Sequence, residues 1–111
     1  MQSDRELLEL AAKAAGLEYH WVKVDGGSLM QASEPGSRSE ESWNPLTDDG
    51  DALRLAVKLC ITDLKLAVGA LVFAEGFQED KYAATRRAIV RAAAELAQAH
   101  PDHKDGGAVY E

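Results

Sequence analysis

Several things are scarce in this chain, and each scarcity excludes something. A single cysteine, Cys60, rules out an internal disulfide and fits a reducing compartment. No apolar run approaches the roughly 18 residues that a membrane-spanning helix requires. The opening Met1-Gln2-Ser3-Asp4-Arg5-Glu6 lacks the basic and then apolar character of a signal peptide. A cytoplasmic protein is therefore expected. Basic residues are also in deficit: 12 Lys and Arg face 19 Asp and Glu, for a formal net charge of -7. A field of that sign disfavours phosphate backbones and anionic membranes as partners and suits a basic protein surface. It is also an ordinary way to keep a small domain soluble. Walker, Rossmann and serine-hydrolase patterns are missing, and there is no internal repeat.

What is present reads as one domain. A chain of 111 residues has room for one hydrophobic core, and 46% hydrophobic with 28% charged residues is ordinary for a globular protein. The first segment predicts a helix over 3–16. Ser3 and Glu6 form an S-x-x-E capping box, Leu7, Leu10, Ala11, Ala14 and Leu17 make an apolar stripe, and Gly16 supplies a helix stop. The period then changes: Tyr19-His20-Trp21-Val22-Lys23-Val24 reads as a strand, Asp25-Gly26-Gly27-Ser28 as a hairpin turn, and Leu29-Met30-Gln31-Ala32 as the return strand. Residues 33–42, rich in serine and glutamate, cannot bury enough apolar surface to order themselves, so they read as a mobile loop.

Trp43-Asn44-Pro45 re-enters the fold, with Trp43 as the anchor that closes the core. Thr47, Asp48 or Asp49 caps a helix over 48–60 whose buried stripe is expected to be Leu53, Ala56, Val57 and Cys60, with Arg54 and Lys58 outward. The apolar stretch from Ile61 to Ala74, broken at Gly69, reads as two strands or one bent strand. Asp80 caps a last helix running to His100, with Tyr82, Thr85, Ile89, Ala93 and Leu96 inward and Pro101 as its stop. The resulting expectation is an α+β fold: a small layered sandwich, order α-β-β-α-β-β-α, with a short antiparallel sheet covered by helices. The domain spans 1–101, and residues 102–111 read as a flexible tail.

Three blocks carry a family resemblance. Trp43-Asn44-Pro45-Leu46-Thr47-Asp48-Asp49-Gly50-Asp51-Ala52-Leu53-Arg54-Leu55-Ala56-Val57-Lys58-Leu59 resembles the central motif of the phage ABA-sandwich family, small proteins of tailed phages and prophages whose function is largely unknown. The run from Tyr82 to Glu95 is similar to that family's C-terminal helix, and Glu6 to Gly16 to its first. The resemblance implies an αβα-type sandwich and brings no catalytic residues with it. It makes the expected role that of a phage accessory protein, without enzyme activity or cofactor, whose partner is a host or phage protein, foremost a host protein that it binds and modulates, including one of a defence system.

The motifs that could carry chemistry are better explained by structure. Asp48-Asp49-Gly50-Asp51 crowds its acids directly before a helix and lacks the later glutamate of a calcium loop, so capping accounts for it. His100 and His103, with Asp102 and Asp105, are split by Pro101 and fall short of a rigid zinc site. No metal is expected. Cys60 and His20 could suggest a nucleophile and a base, but the apolar surroundings expected for Cys60 make it a small hydrophobe. Arg86, Arg87 and Arg91 are the most interesting charged group. Three guanidiniums could read phosphate, the alternative function being a nucleic-acid-associated phage regulator. Intramolecular pairing explains them as well. The partner-binding candidates are therefore Arg86, Arg87, Arg91, Asp48, Asp49 and Arg54, with Trp43 as structural anchor.

Overall fold

A computed structural model describes residues 3–60 and 79–99. They form an α+β fold in the order α1 (Asp4–Ala14), β1 (Glu18–Val24), β2 (Gly27–Ser33), β3 (Glu41–Ser42), α2 (Asp49–Lys58) and α3 (Lys81–Ala99). The two further strands expected within 61–74, the histidines of the chain's end and the tail over 102–111 lie outside the described residues. Among those described, no helix is long and apolar enough to cross a membrane.

Local chemistry sets the element ends. The Ser3 hydroxyl accepts the Glu6 N–H at 3.1 Å while the Ser3 N–H donates to the Glu6 carboxylate at 2.9 Å, so the capping box closes in both directions. Gly16, at φ +72°, turns the chain out of α1. β1 and β2 pair antiparallel from Glu18 opposite Ser33 to Val24 opposite Gly27, around a two-residue turn in which Gly26 takes φ +88°. β3 then pairs antiparallel with β2, giving the sheet order β1-β2-β3. This short strand arises within the serine-rich segment, where none was expected. The same segment also forms a turn at Glu34–Ser37 and reaches α2 through the Glu34–Lys58 ion pair.

One face of the sheet meets the helices. Met30 and Ala32 are buried there, and Tyr19 and Trp21 pack partly against the core, whereas His20 and Val24 on the alternate face are exposed. The helix layer is built on small residues. Ala11 and Ala12 of α1 and Ala93 of α3 are completely buried in the core that joins them with Leu7, Ile89 and Val90. α1 and α3 share the most extensive helix–helix contact, and α2 packs on α3 beside it.

Two expected stripes are rotated. α2 buries Ala52, Leu55 and Ala56, while Leu53 and Val57 stand 59% and 65% exposed. The expected stripe was one residue, about 100°, out of phase. Apolar residues nearly encircle this helix, so periodicity alone could not choose the buried arc. The choice falls to Asp51, whose carboxylate accepts the Asn44 N–H at 3.0 Å and turns its side of the helix toward β3. Cys60, expected in that stripe, is exposed just beyond the helix end at φ +60°. In α3, Ile89 and Ala93 face inward as expected, but Tyr82 and Leu96 are exposed and Ala84, Ala88, Val90 and Ala94 take their places.

The alanine contact yields a direct test. Ala93→Leu forces a branched side chain between α1 and α3 and should cost about 1–3 kcal/mol in urea unfolding. Ala99→Leu, at an exposed position of the same helix, should stay within about 0.5 kcal/mol of the parent.

Candidate functional site

The segment between β3 and α2 is a knot of short-range hydrogen bonds. The Asn44 side-chain oxygen accepts the Leu46 N–H at 3.0 Å, and its backbone carbonyl accepts the Thr47 and Asp48 N–H groups. Pro45 and Leu46 are buried beneath this turn. Asp48 caps α2 by accepting the Asp51 N–H at 2.8 Å. Arg86 ties the knot to α3: its Nε donates to the Leu46 carbonyl at 2.8 Å and its guanidinium pairs with Asp49 at 2.7 Å. The Arg86 side chain, only 18% exposed, is a structural clamp with two fixed partners.

A cleft of about 340 Å³ opens beside the knot, between the β3 edge of the sheet and α2. Its apolar wall comes from Leu17, Trp43 and Leu55. Two ion pairs border it, Lys58 with Glu34 and Arg54 with Asp51, the latter at 2.7 Å. The Asp51 hydrogen bond raises the Arg54 pKa above its ordinary value; desolvation opposes this, and the charges of Asp51, Asp48 and Glu41 reinforce it. Glu41 lines the cleft as well, in the field of Arg54 but without a direct ion pair among the described residues. Trp43 is half-buried, packed against the core on one side and facing the cleft on the other.

The sequence candidates divide around this geometry. Asp48, Asp49, Arg54 and Arg86 come together around the knot. Arg87 points elsewhere, pairing at 2.7 Å with Asp4 at the start of α1. Arg86 and Arg87 thus serve opposite neighbours and do not join into one exposed cluster. Arg91 is half-buried and has its own interactions. Cys60 and His20 are not brought together: Cys60 lies just beyond the end of α2, and His20 lies on β1 with Glu40 at 3.6 Å. Among the described residues no three His, Cys, Asp or Glu side chains converge as a metal-binding group.

Two features escaped sequence reasoning. The first is an apolar groove of about 410 Å³ between α2 and α3, lined by Ala52, Leu53, Tyr82, Thr85 and Ile89, with Asp49, Lys81 and Arg86 at its rim. Tyr82 is 73% exposed beside it. The signal was available in the surplus of apolar positions on α2, more than one buried arc can hold. The second is a strut from α1 to β1. The Trp21 indole N–H donates to Glu9 at 2.8 Å, and Arg5 lies over the ring at 4.2 Å. Burial, and then the charge of Glu9, raise the pKa of the neighbouring Tyr19 phenol.

No protein-family model, curated protein or solved structure matches the chain.

Two measurements check this description. Trp43→Ala should lower stability by about 2–4 kcal/mol, toward the low side for a tryptophan because the ring is only half-buried. The Tyr19 phenol binds its proton more tightly folded than unfolded, so stability is fully present below pH 10.0 and declines as pH rises from there through the folded pKa. Absorbance titration should show that Tyr19 ionises above the ordinary value, with Glu9→Gln lowering its pKa.

Proposed function

We propose that this protein is a non-enzymatic accessory module that binds another protein, as its resemblance to small phage and prophage proteins implies. Its place of action would be the cytoplasm of a bacterial host, and its partner a host protein with a basic surface. The observation that carries this reading is the exposure of Leu53 and Tyr82 in the lining of the α2–α3 groove, with exposed Val57 one turn beyond Leu53 on the same side of α2. Scattered apolar residues on a surface need no explanation. An exposed tyrosine over an apolar groove with a charged rim, extended by exposed aliphatic side chains, is the kind of contiguous patch that marks an interaction site. Asp49 stands at the rim of this surface, with the capping residue Asp48 next to it in the chain, and the net charge of -7 adds a long-range field. Such a field speeds encounter with a partner carrying an apolar anchor ringed by Lys or Arg, more than it tightens the final complex. The nucleic-acid alternative has less support, because Arg86 and Arg87 are already engaged with acids of this chain.

The test is site-specific photocrosslinking in bacterial cells, with the photoreactive residue at Val57 or, as control, at Asp25 in the hairpin turn. A protein adduct of defined mass is expected from Val57 alone. Leu53→Asp should abolish that adduct at an unchanged melting temperature, and raised salt should slow association of the purified pair more than it speeds dissociation. Equal crosslinking from both positions would overturn the reading. Sub-micromolar nucleic-acid binding near physiological salt, lost in Arg87→Glu, would put the alternative in its place (non-specific binding being about 1–100 µM).

A further inference from the structure

The cleft at the β3 edge holds main-chain hydrogen-bonding groups that find no partner among the described residues. In an antiparallel ladder, successive residues direct their peptide groups alternately to the two sides of the strand. The Trp43 N–H donates to the Met30 carbonyl at 2.9 Å, so Trp43 and, two residues earlier, Glu41 turn their peptide groups toward β2. The N–H and C=O of Ser42 between them therefore point away from β2, toward α2. The next outward-facing amide, that of Asn44, is already taken by the Asp51 carboxylate of α2 at 3.0 Å. That bond sets α2 beside the strand edge, and the cleft extends from there past Ser42, with Arg54, Leu55 and Lys58 on its helical side.

We propose that this cleft binds an extended peptide segment of a partner as an added antiparallel strand between β3 and α2, with an apolar residue against Trp43 and a lysine or arginine against Glu41. The main-chain part is a reciprocal pair of hydrogen bonds with Ser42, the usual basis of strand addition to an open sheet edge. The specificity follows from register. Glu41 and Trp43 stand opposite Ala32 and Met30, so both lie on the helix-facing side of the sheet, two residues apart. A peptide residue paired with Ser42 has its preceding neighbour beside Trp43, near Leu55, and its following neighbour beside Glu41. The segment therefore reads apolar–any–basic. Charge agrees: Glu34, Glu41 and Asp51 outnumber Arg54 and Lys58 around the cleft, and Arg54 and Lys58 already have acidic partners. The volume, about 340 Å³, lies within the range of ligand clefts, roughly 300–1,000 Å³. The cleft is a different surface from the α2–α3 groove, so the two readings stand or fall separately.

The experiment uses the full chain and a capped, dye-labelled hexapeptide, Gly-Val-Thr-Lys-Thr-Gly, followed by fluorescence anisotropy. Saturable binding is expected, at least tenfold tighter than for the peptide with Glu in place of Lys. Glu41→Lys should invert that preference, and Glu41→Gln should narrow it if the reversed charge disturbs the fold. Methylating the amide nitrogen of the central Thr next to Val, which removes the donor to Ser42, should weaken binding tenfold or more. Methylating the amide of the Lys, which faces away, should have little effect. Absence of saturable binding up to 1 mM peptide, equal affinity for the Lys and Glu peptides, or equal sensitivity to either methylation would each overturn the proposal.

Discussion

The close contact of α1 and α3 is the constraint on which the remaining arrangement depends. It is made with alanine side chains that expose nothing: Ala11 and Ala12 on one helix, Ala93 on the other. Alanine contributes little transfer energy per residue but allows helix axes to approach closely, so dispersion contacts accumulate along the whole interface. The larger residues, Leu7, Leu8, Ile89 and Val90, seal its margins, and Met30 joins the sheet to the same core. Since the interface is tight, α1 has little freedom to rotate. Its outward side must then carry Arg5 and Glu9 to β1, where they meet Trp21.

A second constraint acts on α2, through polar contacts. Asp51 holds Asn44, Asp48 caps the helix, and Arg86 joins Asp49 and the Leu46 carbonyl to α3. Each bond in isolation and in water would be worth little. Here they converge on one turn over buried Pro45 and Leu46, and together they fix how α2 is rotated. The consequence is a helix whose two sides border different spaces. Leu55 and Lys58 border the strand-edge cleft, while Leu53 borders the apolar groove.

How much of this was legible in the sequence follows from that division. Features decided within a few residues could be read directly: the Ser3–Glu6 capping box, the Gly16 stop, a hairpin turn within Asp25–Ser28 that tightens to Asp25–Gly26, the Asp80 cap and the three helix positions, with Asp48 the one of three candidates that caps α2. Features decided by contacts distant in sequence could not. The buried arc of α2 depends on Asp51 finding Asn44, and the separation of Arg86 from Arg87 depends on where α1 and the 46–49 turn come to lie. β3 is the extreme case. Glu41 and Ser42 have no strand propensity to speak of, and they pair because β2 presents an edge to them. For the candidate sites, Trp43 and the acids at the start of α2 were visible as residues. The cleft and the groove were not, because each is a space between elements and has no motif.

The net charge takes on more meaning once these spaces are placed. An acidic chain whose basic side chains were free could still present local positive patches. In this chain Arg54, Lys58, Arg86 and Arg87 each have an acidic partner, at the cleft, the knot or the start of α1. Pairing turns each of them into a dipole whose field falls off steeply with distance, and leaves the surplus acids to set the potential out to about a Debye length of 8–10 Å. On the proposed function, a partner approaching either surface would meet a negative field first and apolar side chains second. That sequence of forces would select for basic residues surrounding an apolar contact. It would also let one small domain favour the same partner chemistry at two separate surfaces, through a charge balance that belongs to the whole chain.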